Sequence, residues 1–165
     1  MRQVLLLRAV NVGRSNRIAM ADLRALLGRL GHTEVRTVLN SGNAVFTAQH
    51  AADLTADIEA GLGEMGLDVR AVVLSVAALR EMLERLPDDV AAMSYPLVGV
   101  LLGEPSGVPA GFEPDLAVMG DGCVYLGYAA DVHTSRMTTA RLEKALGTGV
   151  TARTPATLLR LVSAR

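Results

Sequence analysis

The stretch EVRTVLNSGNAVFT, residues 34–47, decides how the first half of the chain folds. Its centre, Asn40-Ser41-Gly42-Asn43, contains the residue types that tight hairpin turns prefer, and β-branched and apolar residues flank it on both sides. The stretch therefore predicts two antiparallel strands, Glu34–Leu39 and Ala44–Thr47, joined by a short turn.

The segments around this hairpin complete a recognisable order of elements. The apolar run Val4–Val10 predicts a buried strand, and apolar residues at helical spacing predict helices over 20–30 and 54–65. Gly31 stands where the first helix should end, and Asp68–Leu74 predicts a further strand. The order β-α-β-β-α-β is the split βαβ pattern, so we expect an α+β fold whose residues 1–75 form a ferredoxin-like subdomain.

The second half, residues 76–165, has a less regular pattern and shows no clear internal repeat. It predicts a helix after Ser75, a strand over Tyr95–Leu102 and a hairpin at Gly120-Asp121-Gly122. A helix over Ser135–Leu146 and a last short helix starting at Thr154-Pro155 follow. We expect a second small α+β subdomain with C-terminal helices.

Composition limits the class of protein. Half of the 165 residues are apolar, but only 3% are aromatic, so the core must consist mainly of leucine, valine, alanine and methionine. No apolar run is long enough to span a bilayer, and the first ten residues do not resemble a signal peptide. A lone cysteine, Cys123, cannot form an internal disulfide, which favours a reducing compartment. These features predict a cytoplasmic protein that does not enter a membrane.

Charge is distributed unevenly along the chain. Residues 1–36 carry a net charge of +5, residues 37–130 carry −10, and residues 131–165 carry +4. If the two basic ends meet in space, they could form an anion-binding face. Arginines on solvated helix faces would produce the same distribution, so both interpretations stay open.

Known motifs give little support to a cofactor or metal site. Gly61-x-Gly63-x-x-Gly66 has the letters of a dinucleotide fingerprint, but it should end a helix rather than follow a strand. The three histidines are scattered, and His32 should lie in a surface loop after the first helix. Cys123 falls in a predicted strand and is expected to be packed rather than nucleophilic. The sequence therefore predicts no cofactor and no metal, and contains no catalytic motif.

The segment RAVNVGRSNR, residues 8–17, is more informative. Arg8 interrupts an apolar strand near its end, so its guanidinium must reach solvent or a partner. The segment ends where the first helix begins, and the free N–H groups and macrodipole of a helix N-terminus favour an anion. The alternative is that its polar residues only form the turn.

Topology brings this loop towards the hairpin. In a split βαβ fold the first two strands are parallel, with the third strand between them, so the end of the first strand lies beside the hairpin turn. The loops Asn11–Arg17 and Asn40–Asn43 should therefore meet. The predicted ligand-binding residues are Arg8, Asn11, Asn16, Arg17, Asn40, Ser41 and Asn43. The alternative is that the polar side chains of this cluster only lock the two loops through hydrogen bonds.

Three groups of residues resemble the N-terminal signature of a bacterial family that is itself uncharacterised, domain-of-unknown-function family 1697. They are Leu6–Gly13, Asn16–Leu23 and Asn40–Phe46. Arg136-Met137-Thr138 and Leu142–Gly147 resemble the C-terminal segment of the same family, so the resemblance extends over nearly the whole chain.

The resemblance implies a fold but no activity. It implies a ferredoxin-like first half and an appended α+β half, and it transfers no catalytic residue. Two positions depart from the family pattern: Ala9 replaces the usual glycine, and Arg153-Thr154-Pro155-Ala156-Thr157 replaces an Arg-Asn-Trp-Asn-Thr segment. If the asparagine and tryptophan of the family bind a ligand, this chain has lost or altered that binding. If they only cap the last helix, Thr154-Pro155 can do the same.

Three functions stay open at this point. The first is a small binding module for an anionic or phosphorylated ligand at the two loops. Nucleic acid is a weaker version of it, because Phe46 is the only aromatic residue on the first four predicted strands. The second is a metal-independent enzyme of unidentified reaction, and the third is a structural or interaction protein that associates with itself. The sequence does not distinguish a monomer from a homodimer.

Overall fold

The computed structural model describes residues 1–50 and 53–165 of the chain. These residues form eight short strands and six helices. The strands are β1 Arg2–Leu7, β2 Thr33–Val38, β3 Asn43–Thr47, β4 Ala71–Ser75, β5 Tyr95–Leu101, β6 Leu116–Met119, β7 Cys123–Tyr128 and β8 Val150–Arg153. The helices are α1 Met20–Arg29, α2 Leu54–Glu64, α3 Val76–Glu84, α4 Asp88–Ala91, α5 Thr139–Leu146 and α6 Pro155–Ser163, with a 3₁₀ turn at Val132–Thr134.

The chain divides into two compact units. The first contains Met1–Arg80 and Leu159–Arg165, and the second contains Glu81–Leu158. The helices α3 and α6 therefore each contribute residues to both units. The subdomain ranges 1–75 and 76–165 stay a prediction.

The first unit has the expected ferredoxin-like arrangement. Its sheet has the order β2-β3-β1-β4, and every neighbouring pair of strands is antiparallel. Helices α1 and α2 cover one face, where Leu5, Leu27, Phe46 and Leu62 are fully buried. Burying a side chain of this size contributes about 1.5–3 kcal/mol. The α+β fold class and the βαββαβ order are confirmed.

The second unit repeats the strand order of the first, although the sequence shows no clear internal repeat. Its sheet has the order β6-β7-β5-β8, again with antiparallel neighbours. Helix α5 supplies Leu142 and Leu146 to a core that also contains Leu126. No helix joins β5 to β6. The loop 102–115 connects them and donates the N–H of Ser106 to the carbonyl of Leu146 at the end of α5.

The repeat extends to individual hydrogen bonds. In the first unit, the N–H of Leu7 donates to the carbonyl of Gly42, and in the second unit the N–H of Leu101 donates to that of Gly122. The first residue of the fourth strand donates its N–H to a helical glutamate in both units. The pairs are Ala71 with Glu59 and Val150 with Glu143, each at 2.8 Å. The donors of these shared hydrogen bonds are main-chain N–H groups. Residues of different types can occupy the donor positions, so the repeat is not visible in the sequence.

Two local predictions for the second unit need correction. The helix expected from Ser135 begins only at Thr139, because the Thr138 hydroxyl accepts the N–H of Arg141 and caps it there. Strand β8, Val150–Arg153, was not predicted from the sequence. It pairs with β5 and is the fourth strand of the second sheet. Cys123 is fully buried in β7, as predicted, and burial raises the pKa of its thiol.

Within the part of the chain that the structure describes, no helix is both long enough and apolar enough to cross a lipid bilayer.

Candidate functional site

The two predicted loops meet at one end of the first sheet. The N–H of Leu7, the last residue of β1, donates to the carbonyl of Gly42 in the β2–β3 turn at 2.8 Å. The side-chain amide of Asn11 then donates to the carbonyl of Asn40 at 2.7 Å. We call residues 8–18 and 39–43 together the loop cluster.

Asn11 is the centre of the loop cluster, and its side chain is fully engaged within it. Its Nδ2 donates to the carbonyls of Asn40 and Ile18, and its Oδ1 accepts the N–H of Ile18 at 2.8 Å. The backbone N–H of Asn11 also donates to the carbonyl of Asn16. Asn11 therefore closes the first loop and fastens it to the hairpin.

Asn43 performs a similar task inside the hairpin. Its side chain is fully buried, and its Nδ2 donates to the carbonyl of Val38 at 3.0 Å and to the hydroxyl of Ser41 at 2.9 Å. The side chain of Asn40 is exposed, and its main-chain carbonyl accepts the hydrogen bond from the side-chain amide of Asn11. Three of the predicted site residues thus hold the turn in shape.

The arginines of the loop cluster differ in their surroundings. Arg17 is exposed, and its Nη1 donates to the carbonyls of Asn11 and Gly13 at 3.0 and 3.3 Å. Arg8 is half-buried and donates its backbone N–H to the carbonyl of Arg70 at the start of β4. Arg14, which was not among the predicted site residues, is exposed in the same loop.

Strained backbone is concentrated in the loop cluster. Five non-glycine residues of the described ranges have a positive φ, and four of them belong to the cluster. An L-residue in the left-handed region costs roughly 1–2 kcal/mol, and such strain accumulates where function requires a particular backbone shape. The four are Ala9 (φ 56°), Asn11 (56°), Asn16 (50°) and Leu39 (59°).

Helix α1, which follows the loop, begins without a capping side chain. Its N-cap residue is Ala19, and no side-chain capping hydrogen bond is present there among the residues that the structure describes. The other described helices of eight or more residues are capped by a hydroxyl or carboxylate. Asp53 caps α2, Ser75 caps α3, Thr138 caps α5 and Thr154 caps α6. The first N–H groups of α1 are therefore available to an external acceptor.

The glycine motif in α2 has structural explanations. A Cβ atom on Gly61 would lie 2.5 Å from a methyl carbon of Leu26, so Gly61 allows α1 and α2 to approach closely. Gly66, with φ 81°, follows the end of α2 in the left-handed conformation. Gly63 and Gly66 border an open hollow of about 380 Å³ next to Arg70. The motif ends a helix, as expected from the sequence.

His32 is buried, so the prediction that it lies in a surface loop is wrong. Only 4% of the residue is exposed, and its ring packs against the rings of Phe46 and His50 at centroid distances of 4.8 and 4.9 Å. Neither ring nitrogen has a hydrogen-bond partner among the described residues. Burial, and then the nearby imidazole of His50, lower the pKa of His32 against a smaller opposing effect of Asp57. Burial of His32 therefore favours the neutral form of its imidazole.

The residues described by the structure contain no cluster of three or more histidine, cysteine, aspartate or glutamate side chains suited to holding a metal ion.

Comparison with solved structures supports the fold. The chain is similar to the conserved bacterial protein SP0830 from Streptococcus pneumoniae, with a TM-score of 0.77 and 22% sequence identity. The match covers 99% of this chain and 97% of that one. No curated protein matches the chain.

The family comparison addresses the resemblance found in the sequence. The protein-family model described as "Protein of unknown function (DUF1697)" matches residues 1–109, about two thirds of the chain. This range includes the whole loop cluster. The chain therefore belongs to the DUF1697 family of proteins of unknown function.

Proposed function

We propose that this chain is a binding module for a small anionic ligand, of which a phosphorylated metabolite is the best example, and that the ligand binds at the loop cluster. The lone cysteine favours action in the cytoplasm. The observation that carries the proposal is the uncapped N-terminus of α1 next to an arginine-rich loop.

The uncapped helix supplies directed donors. The N–H groups of Met20 and Ala21 precede the first main-chain bonds of α1, which run from Asp22 and Leu23 to the carbonyl of Ala19. Free N–H groups and the positive end of the helix macrodipole together favour phosphate or carboxylate oxygens. A helix that folds without a cap retains these donors for a ligand.

Charge in the loop cluster has one sign. Residues 8–18 and 39–43 contain Arg8, Arg14 and Arg17 and no acidic residue. Arg14 and Arg17 are exposed, so their guanidinium groups can reach a ligand. Arginine binds phosphate oxygens through paired, charge-assisted hydrogen bonds.

Residues that would contact the ligand differ from residues that position the site. Asn11 and Asn43 use their amides within the loops, so they act as positioning residues. The strained residues Ala9 and Asn16 preserve the shape of the loop for the same purpose. The contacts themselves then come from the arginines and the α1 N–H groups.

Nucleic acid fits this surface less well than a small anion. Proteins that bind single strands stack the bases on exposed aromatic side chains. Strands β1–β4 contain one aromatic residue, Phe46, which is fully buried. The expected partner is therefore a small phosphorylated molecule.

Arg17→Gln should weaken the binding of inorganic phosphate and of sugar phosphates by about tenfold or more. Hydrogen bonds to charged groups contribute roughly 1.5–3 kcal/mol, which corresponds to about this change in Kd. Isothermal titration calorimetry at low salt measures it, after a thermal-shift screen with nucleotides, sugar phosphates and oligonucleotides.

Arg29→Gln is the matched control, since Arg29 is an exposed arginine in the last turn of the same helix. It removes the same charge at the opposite end of α1 and should leave Kd within about twofold. Equal weakening by both variants would mean that only net charge matters, and no binding by the native chain would end the proposal.

A further inference from the structure

A buried histidine closes the C-terminal end of helix α1. The helix ends in a Schellman motif, in which the N–H of Gly31 donates to the carbonyl of Gly28 and the N–H of His32 donates to the carbonyl of Leu27. The residue at the position of His32 in this motif usually makes an apolar contact with the last turn of the helix. In this chain a titratable imidazole occupies that position.

The ring nitrogens of His32 single it out. Among the buried side chains that the structure describes, its Nδ1 and Nε2 are the two polar atoms without a hydrogen-bond partner. A buried polar group without a partner is rare in native proteins, because it costs more than an apolar group of the same shape. A leucine at this position would avoid that cost. An imidazole can do what a leucine cannot, which is to take up a proton near neutral pH.

A second histidine covers the same corner from outside. His50, which follows β3, is exposed, and its Nε2 donates to the carbonyl of Leu30, the C-cap of α1, at 3.1 Å. Its ring lies 4.9 Å from the ring of His32, and that of Phe46 lies 4.8 Å from it, measured between centroids. A proton on each imidazole would therefore bring two positive charges close together, one of them in the core.

We propose that His32 and His50 form an acid-sensitive latch, which holds the end of α1 against β3 while His32 is neutral. The exposed His50 can take up a proton and keep its bond to Leu30. A second proton, on His32, has neither a hydrogen-bond acceptor nor an acidic partner in the core, so the ring leaves its place against Phe46 and the corner between α1 and β2 opens. The latch is independent of the anion site, because the loop cluster precedes the opposite end of α1.

The charges around His32 set the direction of the pH dependence. His50 opposes its protonation, and Asp57 in the first turn of α2 favours it to a smaller extent, whereas Arg29 and Glu34, its charged neighbours along the chain, are exposed. Because the folded chain lowers the pKa of His32 below the ordinary value of about 6.5, the unfolded chain binds this proton more tightly. The contribution to stability is therefore complete above about pH 6.5 and is lost as the pH falls below it.

Proton NMR of the native chain tests the latch without any substitution. The chain contains three histidines, so their imidazole signals can be followed one by one. As the pH is lowered from about 8 to about 5.5, the signal of the exposed His133 provides the reference for a solvated ring. The signal of His32 should stay at its neutral position as long as the protein is folded. A His32 signal that moves in step with that of His133 would overturn the proposal.

Urea unfolding at about pH 7.5 and about pH 5.5 gives the second measurement. Through His32 alone, the ratio of folded to unfolded protein should fall by up to about tenfold between these conditions. His32→Leu places an apolar side chain at the end of α1 and should abolish this part of the loss. His133→Gln removes an exposed histidine and should retain it. Equal losses in the native chain and in His32→Leu would contradict the latch.

Discussion

Replacing Gly42 with alanine should destabilise the chain by about 2–5 kcal/mol. Gly42 has φ 80°, which L-residues rarely adopt. A Cβ atom there would lie 2.6 Å from the Cβ of Leu7 and 2.8 Å from the Cγ2 of Val10. The tip of the hairpin would have to move away from the end of β1, and the loop cluster would open.

Gly13→Ala is the matched control for this substitution. Gly13 also has a positive φ, 65°, but a Cβ atom there would meet nothing within 4 Å. It should therefore cost only the backbone strain, about 1–2 kcal/mol. Urea unfolding of both variants measures the difference, and equal losses would show that the hairpin tip does not pack against β1 as described.

Asn43→Ala should destabilise the chain by about 2–3 kcal/mol. The substitution removes two hydrogen bonds and leaves the buried carbonyl of Val38 without its side-chain donor, and an unsatisfied buried group costs about 1–3 kcal/mol. Removing a fully buried side chain also creates a small cavity. Thermal and urea unfolding measure the loss of stability.

Asn40→Ala provides the comparison, three residues away in the same turn. The Asn40 side chain is exposed, and its contribution to the loop cluster is its main-chain carbonyl. Alanine retains that carbonyl, so the free energy of unfolding should change by less than about 0.5 kcal/mol. A loss as large as that of Asn43→Ala would contradict the division between side-chain and main-chain roles.

The first half of the fold was predictable because its signals are local. The turn chemistry of residues 40–43 fixes the hairpin, and leucines at helical spacing fix α1. The meeting of Asn11 with Asn40 then follows from strand order alone. Signals of this kind lie within short segments, so they can be interpreted without knowing how the rest of the chain folds.

Other features depend on contacts that no local pattern contains. Strand β8 is only four residues long, and its pairing with β5 makes it a strand. His32 looks like a loop residue in the sequence, but Phe46 and His50 pack against its ring. For Asn11 and Asn43 the sequence left ligand binding and loop-locking hydrogen bonds both open, because a binding amide and a structural amide have the same letter in a sequence.

We propose that an anion binds between the arginine loop and the open N-terminus of α1. Titrating inorganic phosphate into ¹⁵N-labelled protein tests it most directly, because each backbone amide reports for itself. We expect the largest saturable shifts at the amides of Met20 and Ala21, with smaller ones along residues 11–18, and their loss in Arg17→Gln. Saturable shifts elsewhere while Met20 and Ala21 stay still, or no saturable shifts at all, would contradict the claim.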